Sequence, residues 1–522
     1  MNPGLAAQGP TKGAKTLLNS YWKQLKSGTD IRGVASEGVD GEAVNLTDET
    51  LGKLAGGFAL WLSARAGKPV KELRVAVGHD SRVSAERIFS AVSGALTDFG
   101  VNVLDCGLAS TPSMFHVTRG LSCDGSVQIT ASHHPWNRNG LKFFTPDGGL
   151  DGPDIEQILL HAQNGDKPAP GKGALESADY MSRYCADLCD MIRKGVNAAD
   201  YDRPLSGFHI VVDAGNGAGG FYARDVLEPL GADVSGSQFL EPDGMFPNHI
   251  PNPENETAMR SVCGAVIRAK ADLGVIFDTD VDRGGAVDAA GEEINRNRLV
   301  ALASHIALEN CPGGTVVTDS VTSSGLTEYI EKTLGGKHHR FKRGYRNVIN
   351  EAVRLNAEGV DCPLAIETSG HAAMRENYFL DDGAYLVTKI IILSARLRAQ
   401  GKTIGDLLEP LREPAEALEL RFPIRKENFR ECGEAVISGL RKYTLGQPGW
   451  TEAPNNYEGI RVSLDGEHGD GWFLLRLSVH DPIMPLNVES DQKGGVKRIL
   501  EQLSVYLNGC DGLDLSSLNK SL

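Results

Sequence analysis

The chain has 522 residues, of which 41% are hydrophobic and 23% charged, a balance that is ordinary for globular proteins and excludes collagen-like and fully disordered classes. This length predicts roughly three or four domains. The formal net charge of −15 argues against general nucleic-acid binding, because a phosphate backbone requires a basic surface.

The N-terminus and the cysteines bear on the cellular compartment. Residues 1–28 lack the apolar core of a secretory signal, and no apolar stretch reaches transmembrane length, so we expect a loose tail and no membrane association. The nine cysteines are scattered, which favours reduced thiols. These features predict a cytoplasmic protein, with a plastid or other organelle stroma as an alternative.

A short apolar strand followed by a polar loop and a helical stretch recurs along the chain. The predicted strands, in chain order, are Val75–Val77, Val127–Ile129, Ile210–Val212, Val275–Phe277, Val316–Val317 and Leu364–Ile366. Apolar strands that alternate with helices predict α/β layers with largely parallel sheets. Because ligands gather at the carboxyl ends of such strands, the loops that follow them are candidate sites.

Two composition shifts suggest domain boundaries. The Gly- and Pro-rich segment 165–171 precedes a predicted helix over 177–194. A second shift at 412–423 precedes predicted strands at 459–464 and 472–478 and an amphipathic helix that ends near Asn508. We therefore predict an N-terminal tail over 1–28, α/β domains over 29–200, 201–308 and 309–418, and a smaller α+β domain over 419–522.

Ser132 is a candidate nucleophile. It lies in the segment Thr-Ala-Ser-His-His-Pro at residues 130–135. Serine-hydrolase chemistry is the weaker interpretation, because the Gly-x-Ser-x-Gly elbow is absent and we do not expect adjacent His133 to reach the Ser132 hydroxyl as a base. A phosphorylated Ser132 would instead offer oxygens to a metal ion. Lys142 follows the same loop.

Asp278, Asp280 and Asp282 form a candidate metal loop that ends at Arg283. On an extended strand end, side chains alternate and these three carboxylates would point the same way. All-oxygen ligation suits Mg²⁺ or Ca²⁺. The sequence argues against an EF-hand, because its required Gly and Glu positions hold Arg283 and Ala289, whereas a solvated acidic turn stays open as an alternative.

Three further loops follow predicted strands. Residues 367–371 read Glu-Thr-Ser-Gly-His, and residues 476–478 read Arg-Leu-Ser, a combination that can clamp a phosphate or simply end a strand. Residues 215–220 match the spacing of a dinucleotide-binding loop. Since the expected acidic partner on the next strand is missing, we interpret them as a tight strand-to-helix turn.

Taken together, these loops resemble the α-D-phosphohexomutase family, from about Thr29 to Ser490. Four family motifs occur in order: the phosphoserine loop, the Asp-x-Asp-x-Asp-Arg metal loop, the Glu-x-Ser-Gly-His sugar loop and the Arg-x-Ser phosphate loop. The resemblance implies three similar α/β domains and a smaller fourth domain around a central cleft. It also implies an isomerase that interconverts hexose 1-phosphate and hexose 6-phosphate, of glucose and/or mannose, with Mg²⁺, an active-site phosphoserine and a hexose 1,6-bisphosphate intermediate.

The resemblance assigns roles to individual residues. Ser132 would carry the phosphoryl group and share Mg²⁺ with Asp278, Asp280 and Asp282. Arg32 and Arg283 would stabilise charge on the moving phosphoryl group. The remaining binding residues would be Glu367, Ser369 and His371 for the sugar, and Arg346, Arg476 and Ser478 for the phosphate that is not transferred.

Three positions depart from the family pattern. His134 replaces the usual Asn, residues 479–481 read Val-His-Asp in place of Asn/Gly-Thr-Glu, and Arg346 replaces Lys. Because arginine does not release a proton at working pH, Arg346 can clamp phosphate but cannot act as a base. Proton transfer would fall to Lys142 or His133, and the sequence leaves this choice open.

Substrate and assembly also stay open at this point. Thr368, the variable residue of the sugar loop, does not distinguish glucose, mannose and glucosamine phosphates. A catalytically inactive sugar-phosphate sensor or scaffold is the main alternative function, and an NAD-linked enzyme built on residues 215–220 is a remote one. We expect a small-molecule sugar phosphate as partner, no nucleic acid, and a monomer or homodimer.

Overall fold

A computed structural model describes residues 17–478 and 481–522. The chain divides into two compact units: Met1–Tyr184 with Asn216–Ala218 and Pro242–Pro247, and Cys185–Gly215 with Gly219–Glu241 and Asn248–Leu522. Residues 1–16 of the predicted tail, together with Val479 and His480 of the phosphate loop, lie outside the described residues.

The first unit is built on one mixed sheet. Its strands are β1 Lys26–Ser27, β2 Asp30–Val34, β3 Arg74–His79, β4 Asn102–Leu108, β5 Gly125–Ile129, β6 Arg138–Thr145, β7 Gly148–Gly149 and β8 Leu175–Ser177. Their order is β1-β2-β6-β5-β3-β4-β8, with β7 on β6. The strands β5, β3, β4 and β8 run parallel, and β6 lies antiparallel between β2 and β5. The end of β5 therefore lies beside β6, which in turn borders β2.

Helices cover both faces of this sheet. They are α1 Ser20–Leu25, α2 Asp48–Ala66, α3 Ala85–Asp98, α4 Thr111–Gly120 and α5 Gly152–Asn164, with a 3₁₀ turn at Val70–Glu72. The helix α6 Met181–Val196 begins in the first unit and continues into the second. Val75 and Val77 share a buried core with Phe58 of α2. Side chains alternate along a strand, so Ala76 of β3 and its neighbour Ser126 of β5 point to the opposite face. There Ser126 donates a hydrogen bond to the carbonyl of Met114 in α4.

The second unit contains two further mixed sheets. The first has the order β12-β11-β10-β9 and the second the order β14-β13-β15-β16-β17. The strands are β9 Ile210–Asp213, β10 Leu273–Phe277, β11 Gly284–Asp288, β12 Glu293–Ile294, β13 Thr315–Thr318, β14 Lys337–Arg340, β15 Leu364–Ile366, β16 Ala372–Met374 and β17 Leu380–Asp381. The pairs β9–β10, β13–β14 and β13–β15 are parallel and the others antiparallel.

Regular and irregular helices flank these two sheets. The α-helices are α7 Glu256–Ala269, α8 Arg296–Glu309, α9 Ser324–Glu328, α10 Tyr345–Ala357, α11 Gly383–Ala399 and α12 Ile404–Leu408. Short 3₁₀ turns occur at Ala218–Gly220, Glu228–Leu230 and Arg375–Asn377, and π-helical turns at Tyr222–Leu227 and Tyr329–Thr333. The predicted turn at 215–220 thus leads into 3₁₀ and π turns rather than into a regular α-helix.

The C-terminal part of the second unit is a smaller α+β domain. Its strands β18 Glu416–Pro423, β19 Trp450–Glu452, β20 Ile460–Leu464, β21 Gly471–Leu475 and β22 Ile483–Ser490 form an antiparallel sheet in the order β18-β22-β21-β20-β19. The helices are α13 Phe429–Thr444, α14 Gly495–Leu507 and α15 Ser516–Ser521. Ile499, Leu500 and Leu503 of α14 are fully buried in its core.

These sheets confirm the predicted fold class of three mixed α/β sheets followed by a smaller α+β domain. The helix expected at 177–194 forms as α6, and the apolar positions of the last predicted helix form α14. The exact domain boundaries stay predictions. Across residues 17–478 and 481–522, none of the helices combines the length and the apolar character that a membrane crossing requires.

Candidate active site

Ser132 sits at the carboxyl end of β5 in a constrained loop. It is buried, and its φ of 50° lies in the left-handed region, which is unfavourable for a residue other than glycine. The Ser132 amide donates to Thr130 Oγ1 at 2.9 Å, and that hydroxyl donates to Asp80 Oδ2 at 2.7 Å. The loop from β3 therefore holds the backbone of the nucleophile loop.

Arg82 fixes the rest of this loop. Its buried guanidinium donates to the carbonyls of Pro135 at 2.9 Å, Arg138 at 2.8 Å and His134 at 2.7 Å, and also to the carbonyl of Ser132. Sequence reasoning missed Asp80 and Arg82, although both lie in one of the strand-end loops it singled out. Their role depends on contacts with a segment some fifty residues away, which no local motif reveals.

His133 lies closer to the nucleophile than the sequence predicted. Its Nδ1 is 3.3 Å from Ser132 Oγ, so the expectation that an adjacent histidine does not reach its neighbour's hydroxyl is wrong. The physical reason is the left-handed backbone at Ser132, which turns the chain between the two side chains. Lys142 is 6% exposed on β6, where it lies opposite Gln128 of β5.

Arg32 lies on β2, the strand next to β6. It faces Gly140 across the antiparallel pair, and its Nη2 donates to Asp30 Oδ2 at 2.8 Å. Gly140 is required here, because an added Cβ would lie 2.3 Å from the carbonyl oxygen of Ile31 and 2.8 Å from that of Thr130. The absence of a side chain lets β2, β6 and the loop after β5 approach closely.

In the second unit, the three predicted metal ligands converge between β10 and β11. Carboxylate oxygens of Asp278, Asp280 and Asp282 lie within 4.8 Å of one another, and all three residues are buried. They converge through a turn and not along a strand, which corrects the predicted geometry. Val281 has a φ of 66°, a strained conformation for a β-branched residue, and its amide donates to the carbonyl of Asp278 at 3.3 Å.

Arg283 partly compensates the charge of this loop. Its Nε and Nη2 each donate to Asp278 Oδ2 at 3.2 Å, and its Nη1 donates to Asn252 Oδ1 at 3.1 Å. Burial by itself would lower the pKa of Arg283, but Asp278, Asp282, Glu254 and Asp280 raise it overall. Arg283 thus places a positive charge directly beside the three carboxylates.

The donor set of this loop fits Mg²⁺. The three carboxylates supply oxygen ligands only, and hard divalent cations of this kind prefer oxygen. A buried cluster of like charges is stable only when a cation or protons neutralise it. A second grouping, Asp282 with His371 and Asp381, shares one of these aspartates and lies at the edge of the same loop.

The sugar loop connects β15 to β16. Glu367 Oε1 accepts a hydrogen bond from the Gly344 amide at 2.6 Å, and Oε2 accepts one from Ser369 Oγ at 3.2 Å. Burial and nearby Asp319 raise the pKa of Glu367 to about 7, against the influence of His371 and Arg343. His371 pairs with Asp381 and stacks on Tyr345, with ring centroids 4.9 Å apart.

The side chain of Thr368, the variable position of the sugar loop, contacts Asp319. Its hydroxyl donates to Asp319 Oδ2 at 2.8 Å, and its amide approaches Asp319 Oδ1 at 3.4 Å. Asp319 is fully buried, and burial raises its pKa. The side chain that sequence analysis examined as a selectivity position therefore anchors its loop to the end of β13.

The second unit also brings Arg343 close to the sugar loop and to Asp319. Arg343 Nε is 3.9 Å from Asp319 Oδ2, and the Arg343 amide donates to Glu458 Oε1 at 2.8 Å. Burial would lower the pKa of Arg343, but Asp319, Glu367 and Glu254 raise it. Sequence reasoning missed Asp319, Arg343 and Glu458 because their role depends on contacts between distant segments.

The predicted phosphate-binding residues fall on two elements of this unit. Arg346 lies in the first turn of α10, and Arg476 and Ser478 follow β21. Burial lowers the pKa of the Arg476 guanidinium, and Arg343 lowers it further, against Glu458 and Glu419. The amide of Asp481 donates to Ser478 Oγ at 3.3 Å.

Comparison with known proteins identifies the family. Models of the phosphoglucomutase/phosphomannomutase α/β/α domains I, II and III match residues 23–168, 186–291 and 295–414. A phosphoglucomutase of Neisseria gonorrhoeae is 30% identical over 443 residues, which cover 83% of this chain and 88% of the relative. The chain belongs to the phosphoglucomutase/phosphomannomutase family. The predicted membership is therefore confirmed, and the chain is a mutase-type isomerase.

Two other members of the phosphoglucomutase/phosphomannomutase family are similar to this chain over nearly its full length. A phosphomannomutase/phosphoglucomutase of Pseudomonas putida is 28% identical over 487 residues, covering 92% of this chain and 94% of the relative. A crystal structure of a phosphoglucomutase/phosphomannomutase family protein from Burkholderia thailandensis has a TM-score of 0.76 at 24% identity and covers 95% of this chain and 99% of that one. The structural likeness supports the fold alone.

Proposed function

We propose that this phosphohexomutase is Mg²⁺-dependent and interconverts the 1- and 6-phosphates of glucose and/or mannose through a phosphorylated Ser132 and a hexose 1,6-bisphosphate intermediate. The observation that carries the proposal is the buried aspartate triad, whose oxygens lie within 4.8 Å of one another. Such a cluster suits a hard divalent cation and a phosphoryl-transfer reaction.

Asp278, Asp280 and Asp282 would hold the metal ion, with an oxygen of phosphorylated Ser132 as a further ligand. Bound Mg²⁺ would neutralise negative charge on the phosphoryl group during transfer. Arg283, which is already tied to Asp278, orients that carboxylate and adds positive charge beside it. Arg32 would add a second guanidinium on the side of the nucleophile loop.

In the forward step, a hydroxyl of the hexose monophosphate attacks the phosphorus on Ser132. The new phosphorus–oxygen bond forms as the bond to Ser132 Oγ breaks, and the sugar hydroxyl loses its proton. His133 or Lys142 accepts this proton and returns it to the serine oxygen. The 3.3 Å approach of His133 Nδ1 to Ser132 Oγ favours the histidine for this transfer. The bisphosphate then turns over and returns its other phosphate to Ser132.

Glu367, Ser369 and His371 would bind sugar hydroxyls. Glu367 is preoriented by the Gly344 amide and by the Ser369 hydroxyl. Arg346, Arg476 and Ser478 would grip the phosphate that is not transferred, and we add Arg343, which lies between the sugar loop and Glu458. Because the substrate binds in two orientations, this clamp must accept either end of the hexose bisphosphate.

The test is a mutase assay with purified full-length protein, Mg²⁺ and a catalytic amount of hexose 1,6-bisphosphate. Glucose, mannose and glucosamine 1-phosphates are compared in parallel, with the Ser132→Ala variant as the negative control. Interconversion of at least one hexose phosphate that requires Mg²⁺ and Ser132 supports the proposal. Binding of a hexose phosphate without turnover would instead favour a sensor, an alternative suggested by the altered residues at 479–481.

A further inference from the structure

Two arginines outside the proposed phosphate clamp, Arg340 and Arg461, line one cavity of the second unit. A cavity of about 300 Å³ opens between β14, the loop before β20 and the end of β21, and we call it the β14–β20 cavity. Arg340, Phe341, Tyr457 and Arg461 contribute to its lining. Arg343, Arg476 and Glu367 do not line it, so it is not the sugar-binding loop cluster described above.

Arg461 is the first unusual feature of the β14–β20 cavity. The residue is 5% exposed, and its guanidinium lies over the Trp472 ring, 3.6 Å from the ring centroid. Nη1 donates to the carbonyl of Ser320 at 2.7 Å. Among the described residues, no acceptor lies at hydrogen-bond distance from its other guanidinium donors. A buried arginine normally uses its planar fork on a carboxylate or phosphate.

Arg340 is the second such group. Its Nε donates to Thr322 Oγ1 at 3.0 Å, and its Nη2 donates to the carbonyl of Ser323 at 2.7 Å and to Thr327 Oγ1. All of these acceptors are neutral. Within residues 17–478 and 481–522, neither Arg340 nor Arg461 forms an ion pair with a carboxylate.

The lining of the cavity also includes two carboxylates, Glu331 and Glu458, and among the described residues neither lies at ion-pair distance from Arg340 or Arg461. Burial lowers the pKa of Arg461, and Arg340 lowers it further, while Glu489 and Asp319 act in the opposite direction. Burial and the same two arginines also hold the pKa of neighbouring His338 well below its usual value. Two guanidinium groups that are buried close to one another repel, and a bound anion that accepts hydrogen bonds from both would offset that repulsion.

We propose that the β14–β20 cavity is a second phosphate-binding site, in which Arg340 and Arg461 bind a phosphate group that is either free or esterified to a small molecule. Phosphate suits two guanidinium groups because it is dianionic and accepts bidentate hydrogen bonds. Phe341 and Tyr457, with ring centroids 4.7 Å apart, supply an apolar wall for an ester substituent.

The cavity is linked to the proposed clamp by Ser320 and Glu458. Arg461 bonds the Ser320 carbonyl, the Ser320 hydroxyl bonds Glu458 Oε1, and the same carboxylate oxygen accepts the Arg343 amide. A ligand that reorients Arg461 acts on the same short chain of hydrogen bonds. The cavity is therefore connected to the backbone of Arg343 through hydrogen bonds of Ser320 and Glu458.

Calorimetric titration of the full-length, sugar-free protein with inorganic phosphate tests the proposal. Arg461→Lys keeps the charge and removes the guanidinium fork, and Ala453→Leu fills the cavity while leaving both arginines in place. Each is expected to raise the Kd of one phosphate site by about tenfold or more. Circular dichroism and thermal melting check that both variants fold.

Two controls separate this site from the active site. Arg441→Gln removes a cation of the same domain that bonds Glu452 and does not line the cavity, and it is expected to leave phosphate binding within about twofold of wild type. Arg476→Ala weakens the proposed clamp and is expected to spare the cavity site. Phosphate binding that Arg476→Ala abolishes, and that Arg461→Lys and Ala453→Leu leave intact, would overturn the proposal.

A parallel titration with glycerol 3-phosphate distinguishes the source of the phosphate group. Tighter binding of glycerol 3-phosphate than of inorganic phosphate at the Arg461-dependent site identifies an ester as the ligand, and the reverse order identifies the free ion. If neither anion binds in an Arg461-dependent manner, the result contradicts the site itself. Since no turnover is measured, these outcomes are independent of the mutase assay.

Discussion

At the scale of single residues, the metal loop brings three carboxylates close together, and bound Mg²⁺ would relieve the repulsion among them. Asp278, Asp280 and Asp282 are buried together, and Arg283 forms an ion pair with Asp278. Removing one carboxylate has opposite consequences with and without metal: it reduces repulsion in the metal-free protein and removes a ligand in the metal-bound protein.

Asp280→Asn is therefore expected to raise the apparent melting temperature in a chelator and to shrink the increase that Mg²⁺ produces in wild type. It should also raise the Mg²⁺ concentration for half-maximal activity by about tenfold or more, because one of three protein ligands is weakened. Thermal melting with and without Mg²⁺ checks the first expectation, and activity measured against Mg²⁺ concentration checks the second. Asp187→Asn, an exposed substitution on α6, is the control and should change neither quantity.

Glu367 gives the molecule a pH-dependent stability. Burial and Asp319 raise the pKa of Glu367 to about 7 from 4.5, so in this interval the folded state binds a proton that the unfolded state has lost. The stabilisation from this protonation is present below the unfolded-state pKa and is lost as the pH rises through about 7. Glu367→Gln removes this titration.

We expect Glu367→Gln to flatten the fall in apparent melting temperature between pH 4.5 and about 7 relative to wild type. Melting of both metal-free proteins across this range checks the expectation. Parallel curves for the two proteins would show that Glu367 does not titrate in this interval.

At the scale of elements, the N-terminus of α11 supports the metal loop. The Gly383 amide donates to the carbonyl of Val281 at 3.1 Å, and an added Cβ at Gly383 would lie 2.4 Å from the carbonyl carbon of Arg283 and 2.8 Å from the Gly284 amide nitrogen. These are backbone atoms, so a larger residue must displace the loop.

Gly383→Ala should therefore weaken Mg²⁺ binding, with half-maximal activity at about tenfold higher Mg²⁺, because a displaced loop no longer presents its carboxylates together. Gly94→Ala is a matched control, since its Cβ would meet no atom within 4 Å and alanine is a better helix former by about 1 kcal/mol. Equal Mg²⁺ requirements for the two variants would contradict a supporting role for α11.

The nucleophile loop depends in the same way on the segment after β3. Arg82→Lys keeps a positive charge but leaves most of the carbonyls of Ser132, His134, Pro135 and Arg138 without their donor, at an expected cost of about 3 kcal/mol. Because Arg82 positions the loop, we expect kcat to fall more than tenfold while KM changes little. Steady-state kinetics separate the two parameters, and a change confined to KM would argue for substrate contact instead.

At the scale of the whole molecule, some features were predictable from local sequence and others were not. Short apolar runs predicted β5, β9, β10 and β15, and spacing singled out Ser132 and the aspartate triad, because these signals are local. The backbone path was not predictable, since Ser132 and Val281 adopt left-handed conformations that their residue types disfavour. Contacts of Arg82 and Asp319 were missed because their partners are distant in sequence.

The measurement that tests the account most directly is the site of phosphorylation. Full-length protein is incubated with Mg²⁺ and hexose 1,6-bisphosphate and digested, and the peptides are examined by mass spectrometry. We predict one phosphate, on Ser132, that is transferred on addition of hexose monophosphate and is absent from the Ser132→Ala variant. Mutase turnover without phosphate on Ser132, or with the phosphate on another residue, would contradict it.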